Sequence, residues 1–164
     1  MVNIGIVIGS TRPGRNGEAV ARWVHAIAAY SQPHTKAWSD AIRSYDGHVF
    51  VTPEYNHSTS GALKNAIDFL YGEWNNKAAG FVSYGSAGGT RAVEHLRLIM
   101  GELQVADVRA QVALSLFTDF ENFRAFTPAP QQEDSVNAML DQVVAWSGAL
   151  KGLRDAQAPV ALAS

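Results

Sequence analysis

The chain has 164 residues, enough for one domain with a sizeable core and too few for two. A net charge of −2 without Lys/Arg clusters argues against a nucleic-acid-binding surface, and the absence of cysteine excludes disulfides, a thiol nucleophile and Cys-ligated metal sites. No signal peptide is visible, and no apolar run approaches the roughly 20 residues needed to span a bilayer, so we expect a cytoplasmic protein.

Short apolar runs alternate with amphipathic stretches along the chain. The runs at 2–8, 49–51 and 78–84 are typical of strands buried on both faces, and the alternation over 108–116 predicts a half-covered edge strand. Apolar residues at helical spacing predict helices at about 20–27, 33–45, 62–70, 92–103 and 131–150. We expect a single domain over residues 1–154 and a frayed tail over 155–164.

This alternation of strands and helices predicts a doubly wound α/β fold, with parallel strands and helices on both faces of the sheet. Ligands of such sheets bind beyond the carboxyl ends of the strands. Three predicted strands are followed there by unusual loops, at 9–18, 53–61 and 84–90. We therefore expect these three loops to meet at one crevice, which is the main indication of a functional site.

The first loop, G-S-T-R-P-G-R-N-G-E at 9–18, is typical of a phosphate-binding turn. Arg15-Asn16 replaces the Lys-Ser/Thr pair of a P-loop, which argues against an NTPase. The glycines also miss the G-x-G-x-x-G spacing of a dinucleotide fold. A phosphate monoester fits better, because Ser10, Thr11, Arg12 and Arg15 offer hydroxyls and charge beside the free N–H groups of a predicted helix start. A merely solvated turn is the alternative.

The other two loops indicate a flat ligand only weakly. In the loop at 53–61, Tyr55 could line a ring, although one of Ser58, Thr59 and Ser60 could simply cap the following helix. The glycine-rich loop at 84–90 would permit close approach of the backbone to a planar ligand. No G-x-S-x-G elbow and no H-x-x-x-H pair is present, so nucleophilic and metal sites are disfavoured.

Three motifs together resemble the NADPH-dependent FMN reductase family of flavodoxin-like proteins. They are G-S-T-R-P-G-R-N-G-E, P-E-Y-N-H-S-T-S-G-A-L-K-N-A-I-D and Y-G-S-A-G-G-T-R. The resemblance implies a five-stranded parallel sheet in the order 2-1-3-4-5 and non-covalently bound FMN. It also implies a dimer or tetramer that passes electrons from NAD(P)H to quinones, flavins, azo dyes or metal oxyanions.

Carried over by position, the resemblance implies three groups of FMN-binding residues and no catalytic side chain. The phosphate would be held by Ser10, Arg12, Arg15, Asn16, Gly17 and Glu18. The isoalloxazine would run along Pro53, Glu54, Tyr55 and Asn56, with main-chain groups near N5 and O4. Its pyrimidine end would be approached by Ser83, Tyr84, Gly85, Gly88 and Gly89. Hydride transfer belongs to the cofactor, so the protein needs mainly to leave one ring face open.

The chain departs from the family between its first two predicted helices. The family has a second, edge strand and a long loop there, whereas only about three residues, Tyr30 to Gln32, are available. Three extended residues reach about 10 Å, while crossing the sheet takes about 20 Å. An omitted or deleted segment of roughly two dozen residues, a rearrangement of the helices, or an element exchanged between subunits would each explain this, and we favour the first.

We expect an FMN-dependent NAD(P)H oxidoreductase acting on quinones, free flavin or similar small acceptors. The alternatives are a one-electron carrier of the flavodoxin type and a flavin- or phosphate-binding module without turnover. Four phenylalanines between residues 117 and 126, beside the apolar stripe of the last strand, are too numerous for the surface of a monomer. We therefore expect at least a homodimer, with no nucleic-acid or membrane partner and no metal.

Overall fold

A computed structural model describes residues 2–8 and 33–157 of the chain. The strands are β1 (Ile4–Ile8), β2 (Gly47–Pro53), β3 (Lys77–Gly85), β4 (Val105–Ser115), β5 (Phe120–Glu121) and β6 (Ala125–Phe126). The helices are α1 (Pro33–Ser44), α2 (Gly61–Asp68), α3 (Thr90–Glu102) and α4 (Gln131–Gln157).

Four of the strands form one parallel sheet in the order β1-β2-β3-β4. The pairing of β2 with β3 is the longest unbroken one, from Gly47 beside Ala78 to Pro53 beside Tyr84. This order corresponds to strands 1-3-4-5 of the order 2-1-3-4-5 that the resemblance implied. No strand lies beyond β1 among the described residues, and the junction at 29–32 falls outside them.

Helices cover both faces of the sheet, as the doubly wound prediction requires. On one face, buried side chains of α1, α2 and α3 pack around Phe50 and Phe81, which are completely buried. On the other face, Met139 and Val143 of α4 pack against neighbours that include Val112 of β4. Successive residues of β2 contribute to opposite layers, which explains why this strand is apolar on both sides.

The predicted elements are largely confirmed. The four helices predicted from 33 onward are present. In the described sheet β4 lies at one edge, and of its predicted apolar stripe Val108, Val112 and Leu114 are buried and Ala110 is half-buried. The structure adds the short antiparallel hairpin of β5 and β6, and it extends the last helix to Gln157. The helix predicted over 20–27 lies outside the described residues. Within the described ranges, no helix is long and apolar enough to cross a membrane.

A buried carboxylate fixes the end of the sheet where the strands begin. Asp46 lies just before β2 and accepts hydrogen bonds from the main-chain N–H of Asn3 (3.1 Å) and from Lys151 (2.9 Å), and it pairs with Arg154. Burial opposes its ionisation, but the hydrogen bonds from Lys151 and Asn3 and the charges of Lys151 and Arg154 hold the pKa of Asp46 below its usual value. This cluster fastens the C-terminal half of α4 to the starts of β1 and β2.

His48, in the second position of β2, is buried among aromatic rings. Its ring centroid lies 5.1 Å from that of Trp74 and 6.1 Å from that of Phe50, and neither ring nitrogen has a hydrogen-bond partner among the described residues. Burial, together with the charges of Lys77 and Arg154, lowers the pKa of His48 from 6.5 to about 3. His48 therefore stays neutral in the folded protein at mildly acidic pH.

Because of His48, we expect the stability of the folded state to fall as the pH is lowered from about 6.5 to 5. In this window the unfolded chain takes up a proton at His48 and the folded chain does not, so the free energy of unfolding falls by up to about 1.4 kcal/mol per pH unit. The variant His48→Phe keeps the ring packing and removes the titration. Urea unfolding at pH 7, 6 and 5 should show a shallower pH dependence for the variant, and equal slopes would contradict the assignment.

Candidate functional site

The carboxyl ends of the sheet strands all lie at one edge, and hydrogen bonds join the loops that leave them. The main-chain N–H of Glu54, just after β2, donates to the carbonyl of Tyr84 near the end of β3 (2.9 Å). The N–H of Leu116, just after β4, donates to the carbonyl of Gly85 (3.1 Å). The loops at 53–61 and 84–90 therefore meet, as predicted from the sequence, and the loop after β4 adjoins them.

The loop after β2 is a tight two-residue turn closed by Tyr55 and Ser58. Each of these residues donates its main-chain N–H to the carbonyl of the other, at 2.8 and 3.0 Å. The two central residues, Asn56 and His57, have φ of +47° and +70°, a left-handed conformation that residues other than glycine seldom adopt. Both residues are exposed, and their own N–H groups have no hydrogen-bond partner among the described residues.

The remainder of this loop is anchored to the fold. The hydroxyls of Thr52 and Thr59 lie 2.7 Å apart, and Ser60 caps α2 by accepting a hydrogen bond from the N–H of Leu63 at 3.2 Å. The helix-cap interpretation of the serines and threonine is thus confirmed for Ser60. The cap and the exposed turn occupy different parts of the same loop, so one function does not exclude the other.

The loop after β3 folds back closely over the end of its own strand. Gly88 and Gly89 both have positive φ, and a Cβ atom at Gly89 would lie only 2.7 Å from the Cβ of Ser83 and from the N of Tyr84. Ser83 is completely buried and donates its hydroxyl to the carbonyl of Gly88 (2.7 Å). In turn it accepts a hydrogen bond from the amide of Gln111 on β4 (3.1 Å).

Two further main-chain donors of this kind lie in the loop after β3. Ser86 and Ala87 are exposed, and their N–H groups have no partner within the described part of the chain. Gly85 brings this loop next to the one after β2, because a Cβ there would lie 3.2 Å from the Cβ of Glu54. Two adjoining loops at this edge thus contribute N–H groups that have no partner in residues 2–8 and 33–157.

Side chains at the start of α3 contact the turn after β2. Arg91 pairs with the buried carboxylate of Glu54 through its guanidinium, and its main-chain N–H donates to Glu54 Oε2 (3.2 Å). Arg91 Nη1 also lies 3.2 Å from Nδ1 of His57. One turn further along α3, His95 Nδ1 lies 2.8 Å from the hydroxyl of Ser58.

Asp119 organises the loop after β4. It is buried and accepts hydrogen bonds from the N–H groups of Ser115 (2.9 Å) and Ala129 (3.1 Å) and from the side chains of Thr118 and Gln132. Burial opposes its ionisation, but these hydrogen bonds hold the pKa of Asp119 below its usual value. The loop leads into β5, where the ring centroid of Phe120 lies 6.1 Å from that of the half-buried Tyr84.

Of the residues that the sequence assigned to the site, those of the second and third groups come together at this edge. Pro53 and Ser83 are buried, Tyr55 and Asn56 are exposed, and the carboxylate of Glu54 faces Arg91 rather than solvent. The first group lies outside the described residues: Ser10, Arg12, Arg15, Asn16, Gly17 and Glu18. No group of three or more metal-ligating side chains occurs among the described residues.

Sequence reasoning missed Arg91, His95 and Gln111 as parts of this edge. Arg91 ends the quoted motif Y-G-S-A-G-G-T-R, and this was the available signal, but its partner Glu54 is 37 residues away in sequence. His95 gave no local signal, because its contact Ser58 is 37 residues away in sequence. Gln111 gave no local signal, because its contact with Ser83 depends on how β3 and β4 pair.

We expect Gly89→Ala to lower the free energy of unfolding by about 2 kcal/mol or more. The left-handed backbone alone disfavours alanine by about 1–2 kcal/mol, and the new methyl group would overlap Ser83 and Tyr84. Gly61→Ala is the matched control, since no atom lies within 4 Å of a Cβ built there and the residue starts a helix. Urea unfolding of both variants measures the difference. Equal stabilities would show that the loop does not pack as described.

Comparison with known proteins places the chain in a family. Residues 27–119 match the family described as NADPH-dependent FMN reductase. An NAD(P)H-dependent FMN reductase of Nectria sp. is 31% identical over 194 aligned positions, covering 87% of this chain and 96% of that protein. This alignment has more positions than the chain has residues, so the relative carries segments that this chain lacks.

Two other relatives match over a shorter part. An NAD(P)H-dependent FMN reductase of Schizosaccharomyces pombe is 44% identical over 96 residues, 58% of this chain and 48% of that protein. A quinone reductase of Pseudomonas putida is 41% identical over 106 residues, 57% of each chain. The chain thus matches about half the length of each of these two relatives.

Solved structures show the same fold. The flavoenzyme NAD(P)H:(acceptor) oxidoreductase FerB of Paracoccus denitrificans superposes with a TM-score of 0.62 at 17% identity, covering 93% of this chain and 98% of that one. A flavodoxin, WrbA-like protein of Agrobacterium tumefaciens superposes with a TM-score of 0.57 at 15% identity, covering 93% and 99%. The fold is flavodoxin-like, and the chain belongs to the NADPH-dependent FMN reductase family.

Proposed function

We propose that this protein is an FMN-dependent NAD(P)H oxidoreductase that passes electrons from NAD(P)H through bound FMN to quinones, free flavin or similar small acceptors. Family membership supports the flavin and the nicotinamide reductant. Relatives that are named quinone reductases support the class of acceptor. The observation on the molecule itself that carries the proposal is the set of main-chain N–H groups at the sheet edge that no described residue pairs.

The described residues fit the ring system of FMN. An isoalloxazine is flat and bears carbonyl oxygens and ring nitrogens that accept hydrogen bonds, and the exposed N–H groups of Asn56, His57, Ser86 and Ala87 are donors from two adjoining loops. Main-chain donors fixed by the fold stabilise negative charge without having to reorganise. The residues proposed along the ring are Pro53, Glu54, Tyr55, Asn56, Ser83, Tyr84, Gly85, Gly88 and Gly89.

Within this group the contributions differ. Ser83 is buried beneath the glycine loop and supports it, and the side chain of Glu54 is engaged by Arg91. Tyr55 is 37% exposed, so its side chain is available to contact a ring, whereas its main-chain groups are already paired with Ser58. Ring recognition would therefore rest mainly on main-chain groups and on Tyr55.

We propose that the loop at 9–18 holds the phosphate of FMN through Ser10, Arg12, Arg15, Asn16, Gly17 and Glu18. The support is chemical: two arginines and a hydroxyl stand at a predicted helix start, where free N–H groups and the helix dipole favour an anion. When bound, FMN supplies the hydride chemistry. The chain's part is to hold and orient the ring, and no side chain is assigned as a catalytic acid or base.

An anaerobic reduction experiment tests the proposed activity. The protein is loaded with FMN, passed through gel filtration and mixed with NADPH while the visible spectrum is recorded. We expect the flavin to be retained and to lose its absorbance near 450 nm within a few seconds of mixing. Ordinary enzymes turn over roughly 1–10³ times per second, so slower reduction would not fit a reductase. The double variant Arg12→Ala/Arg15→Ala is expected to lose flavin on the column.

The outcomes separate the alternatives. Retained flavin that stays oxidised after NADPH addition would contradict a reductase and favour a carrier or an inactive binder. If the wild-type protein retains no flavin, the cofactor assignment fails. If the double variant retains FMN as firmly as the wild type, the phosphate assignment alone fails.

We further propose a homodimer in the cytoplasm. Phe117, Phe123 and Phe126 in and around the β5–β6 hairpin are 66%, 60% and 56% exposed, so three large rings face outward within ten residues. An apolar patch of this kind on a soluble domain marks an interaction surface. The absence of cysteine is in keeping with a reducing compartment.

Light scattering tests the oligomeric state. At micromolar concentration we expect at least twice the chain mass of 17.7 kDa. The triple variant Phe117→Ser/Phe123→Ser/Phe126→Ser should shift the protein toward the monomer. The control is Leu98→Ser, because Leu98 is 76% exposed on α3, away from the hairpin. A monomeric wild type would contradict the proposal, and a dimeric triple variant would place the interface elsewhere.

A further inference from the structure

The pair of Glu54 and Arg91 is buried on one side and exposed on the other. The Glu54 side chain is 6% exposed, whereas that of Arg91 is 42% exposed. A carboxylate removed from water needs partners, and Arg91 supplies two of them, its main-chain N–H and its guanidinium. The pair links the residue that follows β2 to the first turn of α3.

Arg91 extends this link to the tip of the turn. A guanidinium can only donate, so at the 3.2 Å contact with Arg91 Nη1 the Nδ1 of His57 accepts. In the neutral imidazole the proton then lies on Nε2. His57 is one of the two residues with positive φ, and its backbone conformation needs support from surrounding contacts. The contact between His95 and Ser58 is a second connection from α3 to the same turn.

The packing of α3 does not depend on this pair. The helix is held to the sheet by Ala92, Val93, Leu96 and Met100, all completely buried. Glu54 and Arg91 belong to neither apolar core layer. Loss of the pair should therefore disturb the turn after β2 more than the fold.

We infer that Arg91 and Glu54 are positioning residues that hold the Tyr55–Ser58 turn in its ligand-binding conformation before the flavin arrives. The inference rests on the proposed function. A turn that is already ordered loses less conformational freedom when it binds, so part of the cost of binding is removed in advance. The pair thereby aims the N–H groups of Asn56 and His57, although neither Arg91 nor Glu54 has to contact the flavin with its side chain.

Two readouts test the inference, one of which needs no flavin. In the apoprotein, the N–H groups of Tyr55 and Ser58 are hydrogen-bonded across the turn and should exchange slowly with solvent. In Arg91→Ala and Glu54→Gln we expect both amides to exchange faster. In the same variants we expect the FMN dissociation constant, measured by quenching of flavin fluorescence, to rise by about tenfold or more.

The variants include a partial rescue and a control. Arg91→Lys keeps a cation for Glu54 but cannot also donate to His57 in the same geometry, so both readouts should fall between those of wild type and Arg91→Ala. Lys64→Ala breaks the exposed Lys64–Asp68 pair on α2 and should leave both unchanged. Urea unfolding shows whether each variant folds. If Arg91→Ala does not fold, both readouts are taken from Glu54→Gln, which keeps the shape of the side chain.

The outcomes distinguish this inference from the proposed function. If wild-type protein binds no FMN, the proposed function fails, and the positioning role fails with it. If wild type binds FMN and the folded variants bind it equally well, the positioning role is overturned and the proposed function stands. Slow exchange of Tyr55 and Ser58 in the folded variants would also overturn it. Faster exchange together with weaker FMN binding supports it.

Discussion

The parallel register of β2 with β3 is the constraint on which the site depends. Seven consecutive residues of β2 pair with seven of β3, and the hydrogen bond from the Glu54 N–H to the Tyr84 carbonyl continues the pairing into the loops. Because the strands run the same way, both loops leave at one edge, and neither can move far without the other. A shift by one residue would exchange the two core layers and separate the exposed donors.

Polar groups are paired differently at the two ends of the sheet. Where the strands begin, Asp46 is surrounded by donors from the main chain, Lys151 and Arg154, and its contacts fasten α4. Where the strands end, the buried carboxylate of Glu54 is paired as well, but main-chain donors of the turns lack a partner in the part of the chain that the structure describes. The first arrangement stabilises the fold, whereas the second leaves hydrogen-bonding capacity for a ligand. This contrast supports the proposed site on grounds that do not depend on the family.

Much of the fold and part of the candidate site could be predicted from the sequence, because the patterns that indicate them lie within short stretches of the chain. Apolar spacing predicted the helices of the described part. The loops at 53–61 and 84–90 were placed correctly because parallel strands share an edge. The β5–β6 hairpin was missed since strands of two residues show no alternation. The Glu54–Arg91 pair and the support of Ser83 by Gln111 were missed because each joins distant parts of the chain. The phosphate loop stays a prediction, as does the explanation for the short junction at 29–32, because both lie outside the described residues.

The most direct measurement of the central claim records the amide resonances of the ¹⁵N-labelled apoprotein by NMR while FMN is added. The account predicts that the N–H signals of Asn56, His57, Ser86 and Ala87 shift on binding, while that of Gly47, at the opposite end of β2, stays in place. If FMN binds and these four signals do not move, the two loops are not the flavin site.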